Sequence, residues 1–300
     1  MPTAERRVCV TGASGFTGRH LVHHLAESGA TVFAASAEEV EGAAEIRSVD
    51  ITDRPALTQW LVDVRPTHIV HLAALSHVVG EALPFYQVNT LGTEALIETA
   101  AEIVPDLAKL VIASSANVYG RAEQMPIGED APIRPVNHYG LSKMAAELIA
   151  MKWFDRLPII VARPFNYTGR GQEEQFAFAK IVAAFRRRDP VITLGNLDVR
   201  RDLSDVRFVS AVYAALLDSD CASMIVNICS GVSVSIGEFI AALTKLTGHA
   251  PQITSQRQLV RSDDIYELVG DDRRLQRSIG TIAKPTLENT LRWMLEEDRP

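Results

Sequence analysis

Tyr139 and Lys143, in the run Tyr139-Gly140-Leu141-Ser142-Lys143, are the residues whose types and spacing most directly suggest chemistry. Four apart on a helix, they share one face. A phenol beside an ammonium loses or shares its proton below its ordinary pKa of about 10. Carbonyl reduction needs such a group: an acid near neutrality that protonates an oxygen while a hydride arrives at carbon. The spacing alone is weak evidence, because an exposed helix turn can carry it by chance. Two further motifs give it weight.

The first is Thr11-Gly12-Ala13-Ser14-Gly15-Phe16-Thr17-Gly18. It follows the apolar run Val8-Cys9-Val10 and precedes a helical pattern with Phe16, Leu21, Val22 and Leu25 on one side. Strand, glycine-rich turn and helix is the context that makes a phosphate cradle. Gly12 permits the turn, Gly15 lets backbone approach a pyrophosphate, and Gly18 lets the helix pack close to the sheet. The anion then rests on the helix N-terminus. A helix start capped by Thr11 or Ser14 is the bland alternative. The second motif, Ser114-Ser115-Ala116-Asn117-Val118-Tyr119-Gly120, directly follows the apolar strand Leu110–Ala113. A serine at the C-terminal end of a parallel strand lies where open α/β sheets bind ligands.

The elements around these motifs alternate. Strands are expected at Arg7–Thr11, Thr31–Ala35, Glu45–Val49, His68–Leu72, Lys109–Ala113 and Ile159–Ala162, with helices around Arg19–Ser28, Arg54–Val64, Tyr86–Ala101 and Tyr139–Phe154. The fold class is therefore α/β, a doubly wound parallel sheet of Rossmann type covered by helices. The second half is less regular. It shows helices near Gln175–Arg188, Val206–Leu217, Ser235–Thr247 and Leu287–Glu297, and strands at Val191–Leu194 and Met224–Ile228. The texture changes after Arg163-Pro164. Residues 1–165 read as a dinucleotide-binding domain and 166–300 as a smaller substrate domain, with part of 195–217 returning to the first.

With 300 residues, 47% hydrophobic and 22% charged, the chain can bury a sizeable core. A net charge of −7 argues against nucleic acid as the main partner. No apolar stretch reaches the ~18 residues of a membrane span. The N-terminus has no secretory core. Cys9, Cys221 and Cys229 form neither a zinc pattern nor a disulfide framework. A reduced, cytoplasmic, soluble protein is expected. His23-His24 and the pair His68 and His71 suggest no metal site, and Arg186-Arg187-Arg188 suits a helix C-terminus.

The ordered set of motifs resembles the extended short-chain dehydrogenase/reductases that act on nucleotide sugars. The TGxxGxxG turn, His71-Leu72-Ala73-Ala74, Ser-x-x-Val-Tyr-Gly and YxxxK carry that resemblance. So do Arg163-Pro164-Phe165-Asn166, Arg201-Asp202 before Asp205-Val206, and Asn227-Ile228-Cys229-Ser230-Gly231. Within the family, Ala162–Gln172 and Asp198–Leu203 most resemble the branch that reduces GDP-linked 4-keto-6-deoxy-mannose. The resemblance implies that Tyr139 protonates the sugar C4 oxygen, that Lys143 holds the nicotinamide ribose and lowers the tyrosine pKa, and that Ser115 hydrogen-bonds the same oxygen. It places Gly12, Ser14, Gly15, Phe16, Thr17, Gly18, Asp50, Ile51, Leu72, Ala73, Ala74, Asn89, Ser114 and Pro164 at the cofactor. Asp50 would reach the adenine, and Asn89 belongs to the element Asn89-Thr90-Leu91-Gly92-Thr93. Asn166, Arg201 and Arg261 would hold the sugar diphosphate, the arginines through their planar forks. A surface ion pair with Asp202 or Asp205 is the alternative for Arg201, and a solvated loop charge is the alternative for Arg261. A homodimer is implied by resemblance alone.

Two departures matter. The family's 4,6-dehydratases carry acidic or polar groups at the two positions after the serine, with a glutamate at the second; here Ala116 and Asn117 stand there. An amide cannot act as a carboxylate base, so dehydration is disfavoured. Reduction at C4, or 4-epimerisation through a transient ketone with tightly bound NAD, needs only Ser115, Tyr139, Lys143 and the cofactor. A non-catalytic dinucleotide sensor is the remaining alternative, though such proteins usually lose YxxxK. At the end of the second strand, Ala34-Ala35-Ser36-Ala37, no carboxylate stands ready for the ribose 2′-hydroxyl. That favours NADP(H), with NAD(H) also accommodated. Arg19 is a candidate for the 2′-phosphate and equally a solvated helix residue.

Overall fold

The computed structural model describes residues 6–76, 81–256 and 265–296. Its first half runs β1 (Arg7–Thr11), α1 (Phe16–Glu27), β2 (Thr31–Ala35), β3 (Glu45–Arg47), α2 (Arg54–Val64), β4 (His68–His71) and α3 (Ala82–Phe85). A π-helical stretch, Tyr86–Gly92, then leads into α4 (Thr93–Ile103), followed by β5 (Lys109–Ala113), α5 (His138–Met151) and β6 (Ile159–Pro164). The second half contains β7 (Asn166–Thr168), α6 (Ala177–Arg187), β8 (Val191–Leu194), β9 (Arg200–Asp205), α7 (Val206–Asp218) and β10 (Met224–Ile228). It ends with β11 (Ser233–Ser235), α8 (Ile236–Thr247), β12 (Gln252–Ser255), β13 (Glu267–Leu268), α9 (Arg273–Ile279) and α10 (Leu287–Leu295).

Seven strands form one sheet in the order β10-β6-β5-β4-β1-β2-β3, every neighbouring pair parallel. Strand side chains alternate between two faces, and both faces are apolar. Val8 and Val10 of β1 join the core under α1 and α7, whereas Cys9 joins the opposite core with Trp60 of α2, Leu96 of α4 and Ala150 of α5. The chain leaves β1 toward β2 on one side, and later strands add on the other side of β1. The switch point therefore lies between β1 and β4, and a crevice opens there at the strands' C-terminal ends.

β10 and α7 come from beyond residue 166, yet β10 pairs with β6 and α7 shares a core with α1. A separate core holds α6, β8, α8 and α10 together through Phe178, Ile181, Phe239 and Leu291. Between the two bodies, β9 is flanked by β11 and β13 and also pairs with β7. The short strands β7, β9 and β13 escape the sequence reading because their polar residues satisfy partners from distant segments. The helix expected over Tyr86–Ala101 begins instead as a π-helix, and the one expected to reach Glu297 ends at Leu295. No helix among the described residues is long and apolar enough to cross a membrane.

Candidate active site

The glycine turn shows why each glycine is needed. Gly12 has φ +69°, and a Cβ there would lie 2.6 Å from the Ala73 nitrogen. A Cβ on Gly18 would lie 2.3 Å from the Gly12 carbonyl oxygen, so α1 packs directly on the turn. Gly15 differs. Its Cβ would meet only the Gly12 oxygen, at 3.2 Å, and the space beyond is the crevice. Gly15 is the N-cap of α1 and no side chain caps this end. The first-turn N–H groups and the helix dipole are left to an anion. A nicotinamide dinucleotide fits this cradle through its pyrophosphate.

A buried histidine ties the turn to the sheet. His71 Nδ1 lies 2.7 Å from Thr11 Oγ1, and His71 Nε2 lies 2.9 Å from Thr93 Oγ1. Thr93 donates its own proton to the Asn89 carbonyl, so it accepts from Nε2–H. Nδ1 is then the bare nitrogen and accepts from Thr11. Burial, with the Lys143 charge adding to it, pushes His71 down to about 3 and keeps it neutral. Thr11 Oγ1 also accepts from the Ala73 N–H, which sets the strand end against Gly12.

Asn89 sits in the π-helical stretch, fully buried. Its amide exchanges hydrogen bonds with the Leu75 backbone and donates to Ser142 Oγ at 3.0 Å. Ser142 in turn donates to the Tyr139 carbonyl. Asn89 is not in the crevice lining, and its side-chain bonds tie the loop after β4 to α5.

The crevice measures about 790 Å³. It is lined by Gly12, Ser14, Gly15, Phe16, Thr17, Gly18, Leu72, Ala74, Ser114, Ser115, Asn117, Tyr139, Lys143, Pro164, Asn166 and Arg201. Asp50, Ile51 and Ala73 are not in that lining. Asp50 is exposed, and its carboxylate accepts from the N–H and hydroxyl of Thr52. Those two bonds hold it below the usual carboxylate range. Ile51 is buried beneath Gly92. Arg261 lies outside the described residues. A smaller depression of about 350 Å³, between the C-terminal ends of α2 and α4, contains none of the groups of interest.

The catalytic-type groups meet at the crevice floor. Ser115 Oγ caps a short 3-10 turn over Ala116–Val118, and Ser115 and Tyr139 both line the crevice. Burial pushes Tyr139 up to about 12, and the Ser115 hydroxyl partly offsets it. Lys143 is not the dominant influence on the phenol that its spacing implied. Its ammonium donates to the Ala113 carbonyl at 2.7 Å, and burial lowers it to about 8 while the Glu147 charge raises it.

Beneath Lys143 lies a buried network that the motifs did not announce. Arg163 of β6 forks onto Glu147 with Nε–Oε1 at 2.8 Å and Nη2–Oε2 at 2.6 Å. Ser114 also donates to Glu147. Arg163 Nη1 donates to the Tyr119 hydroxyl, which donates to Asn227. Glu147 was findable, because it lies four residues after Lys143 on the same helix face. Tyr167 and Tyr213 also line the crevice. Tyr167 stacks on Phe16 at 5.8 Å, and its hydroxyl lies 2.7 Å from Thr17 Oγ1. Arg201 lines the far end, its guanidinium held by the Ile265 carbonyl. At the end near β2, Arg19 donates through Nη2 to one Glu38 carboxylate oxygen and through its other nitrogens to the Ser14 and Glu39 carbonyls.

A parallel sheet with an anion cradle at its switch point, and a Ser-Tyr-Lys group facing that cradle, defines an NAD(P)-dependent oxidoreductase of the short-chain type. The chain belongs to the NAD dependent epimerase/dehydratase family, whose model matches residues 8–229. It is 35% identical to the GDP-6-deoxy-D-talose 4-dehydrogenase of Aggregatibacter actinomycetemcomitans, over 97% of this chain and 96% of that relative. It is 29% identical to the GDP-6-deoxy-D-mannose reductase of Pseudomonas aeruginosa, over 97% of each. Among solved structures, MoeE5 in complex with UDP-glucuronic acid and NAD superposes with a TM-score of 0.88, at 28% identity over 96% of this chain and 97% of that one. RMD from Pseudomonas aeruginosa complexed with NADPH superposes with a TM-score of 0.84, at 28% identity over 97% and 96%.

Proposed function

We propose that the protein reduces the C4 ketone of a GDP-linked 4-keto-6-deoxy sugar. The observation that carries this reading is the Ser115, Tyr139 and Lys143 group with an amide, Asn117, in place of a carboxylate beside it. No carboxylate base at that position means no route to dehydration through it. The names of two relatives add chemistry. 6-Deoxy-talose and 6-deoxy-mannose differ only at C4, so one 4-ketone underlies both the dehydrogenase and the reductase.

When bound, the dinucleotide supplies the hydride. The chain's own residues do the rest. The first turn of α1 binds the pyrophosphate, and Ala74 and Leu72 leave room beside it. Lys143 holds the ribose near the Ala113 carbonyl. Ser115 donates a hydrogen bond to the C4 oxygen, and Tyr139, kept protonated at neutral pH by burial, gives that oxygen its proton. Residues 1–165 hold the dinucleotide, while Asn166, Arg201 and Arg261 of 166–300 hold the sugar nucleotide. NADPH is the first choice and NADH the second, with Arg19 passing from Glu38 to the 2′-phosphate. Exposed Leu148 and Met151 on α5, with Leu91, fit a homodimer built on this face.

The test is a panel of nucleotide-linked 4-keto-6-deoxy sugars, GDP-linked first, with reduced-cofactor absorbance and product configuration at C4 followed together. Stoichiometric loss of reduced cofactor supports the reading. Product formed without added reduced cofactor would replace it with a 4-epimerase.

A further inference from the structure

We infer that Tyr167 is a positioning residue that couples the two ligands: it clasps the first turn of α1, where the dinucleotide's pyrophosphate rests, to β7, whose Asn166 faces the sugar nucleotide. The inference rests on the reading of the crevice as a site shared by a dinucleotide and a nucleoside diphosphate sugar. Two contacts make the clasp. The Tyr167 hydroxyl lies 2.7 Å from Thr17 Oγ1, across 150 positions of chain. Its ring stacks on Phe16, with 5.8 Å between centroids and 12° between planes. Phe16 and Thr17 directly follow Gly15, the N-cap of α1, so the clasp grips the turn whose N–H groups are left to an anion. Gly15, Phe16, Thr17, Asn166 and Tyr167 all line the crevice.

The other half of the clasp belongs to the substrate side. Side chains alternate along a strand, so Tyr167 turns toward α1 while its neighbour Asn166 is exposed. β7 pairs in parallel with β9, Tyr167 opposite Ser204, and β9 carries Arg201. The Gln172 amide donates to the Tyr167 carbonyl at 3.2 Å and accepts from the Thr168 hydroxyl at 2.7 Å, so the segment after β7 folds back onto the strand. The apolar side of α1 is anchored further along, by Leu21, Val22 and Leu25 in the core, whereas Phe16 and Thr17 are only half-buried. The turn and the strand therefore hold each other. An anion that fixes the turn also fixes β7, and a nucleotide then meets Asn166 and Arg201 already placed. Coupling of this kind is reciprocal, each ligand tightening the other by the same factor.

Tyr167→Phe deletes the hydroxyl and keeps the ring on Phe16, and Thr17→Val deletes the partner hydroxyl. Calorimetric titration measures NADPH affinity, and GDP affinity with and without saturating NADP+, with UDP as the second nucleotide probe. The wild type should bind the nucleotide more tightly when NADP+ is present. Tyr167→Phe should weaken NADPH about three- to tenfold, the net worth of one hydrogen bond, and shrink the ratio of the two GDP affinities by a similar factor. Thr17→Val should give the same two losses, and the double variant should lose little more than either single one, because each change breaks the same bond. A hydroxyl that only supports the fold would lower the melting temperature and leave the ratio as it is in the wild type. That result overturns the proposal, as does a wild-type ratio of one, or losses that multiply in the double variant. If Tyr167→Phe does not fold, Thr17→Val reads the same ratio. Net cofactor consumption tests the reductase reading separately. The clasp concerns binding alone, so a wild type that shows the coupling but consumes no cofactor refutes the reductase and supports the clasp.

Discussion

Glu147→Gln probes the buried pair under the site. Glu147 and Arg163 are 2% and 3% exposed, and two short bonds join them. The glutamine amide retains one acceptor oxygen and presents an NH2 to a guanidinium that can only donate. With the amide oxygen in the Oε1 place Ser114 and Arg163 Nε keep their acceptor and Nη2 loses its own; with the oxygen in the Oε2 place Ser114 and Nε lose theirs. Removing one partner of a buried pair costs about 3–5 kcal/mol, because the other charge stays buried and uncompensated. For 300 residues, an unfolding entropy of about 2 cal/mol/K per residue gives about 0.6 kcal/mol/K, so Tm should fall by about 5–8 °C. The charge also acts on Lys143, where it opposes burial. Without it, Lys143 drops further below about 8, and the alkaline limb of the reduction rate moves to lower pH. Calorimetry and a pH–kcat profile read the two effects. The Glu147→Leu, Arg163→Met double variant removes both charges and should recover most of the stability while leaving Lys143 uncompensated. A Tm within about 1 °C of wild type for Glu147→Gln, or a double variant as unstable as the single one, would refute the reasoning.

Tyr139→Phe keeps the ring and deletes the proton, so kcat should fall about a hundredfold or more with KM little changed; near-normal turnover would remove Tyr139 from the chemistry. Gly15→Val should fold normally, since a Cβ there meets only one backbone oxygen at 3.2 Å, yet its side chain fills the cradle. Calorimetric titration should therefore show dinucleotide binding abolished. Burial holds Lys143 down at about 8 in the folded chain, against 10.5 for an ordinary lysine, so the unfolded chain binds more protons between those values. Its burial penalty, about 3 kcal/mol, is full below pH 8 and vanishes toward 10.5. Lys143→Met should melt above wild type at pH 7, and the gap should close as pH rises; a gap that widens contradicts the assignment. Glu38→Gln removes the carboxylate charge paired with Arg19 and should raise the preference for NADPH over NADH in steady-state kinetics, whereas no change would detach that pair from cofactor choice.

What the sequence by itself determined was local. The glycine turn, the strand before it and the helix after it follow from backbone sterics and from apolar periodicity within a few residues. β1, β2, β5, α2 and the helix capped by Ser235 were legible to the residue for that reason. The shared face of Tyr139 and Lys143 is likewise helix geometry. Tertiary structure alone decided what lies across from these residues. The Tyr119–Asn227 bond spans 108 positions and the Asn89–Ser142 bond 53, so no local pattern announces them. The Asn89 bond is of this kind, joining the loop after β4 to α5. Tyr139 titrates high rather than low because burial, with Phe85 set edge-on against its ring, dominates over the charge one turn away. That charge is itself turned toward Ala113. Electrostatics at a site depend on distance and dielectric, and both are properties of the folded chain.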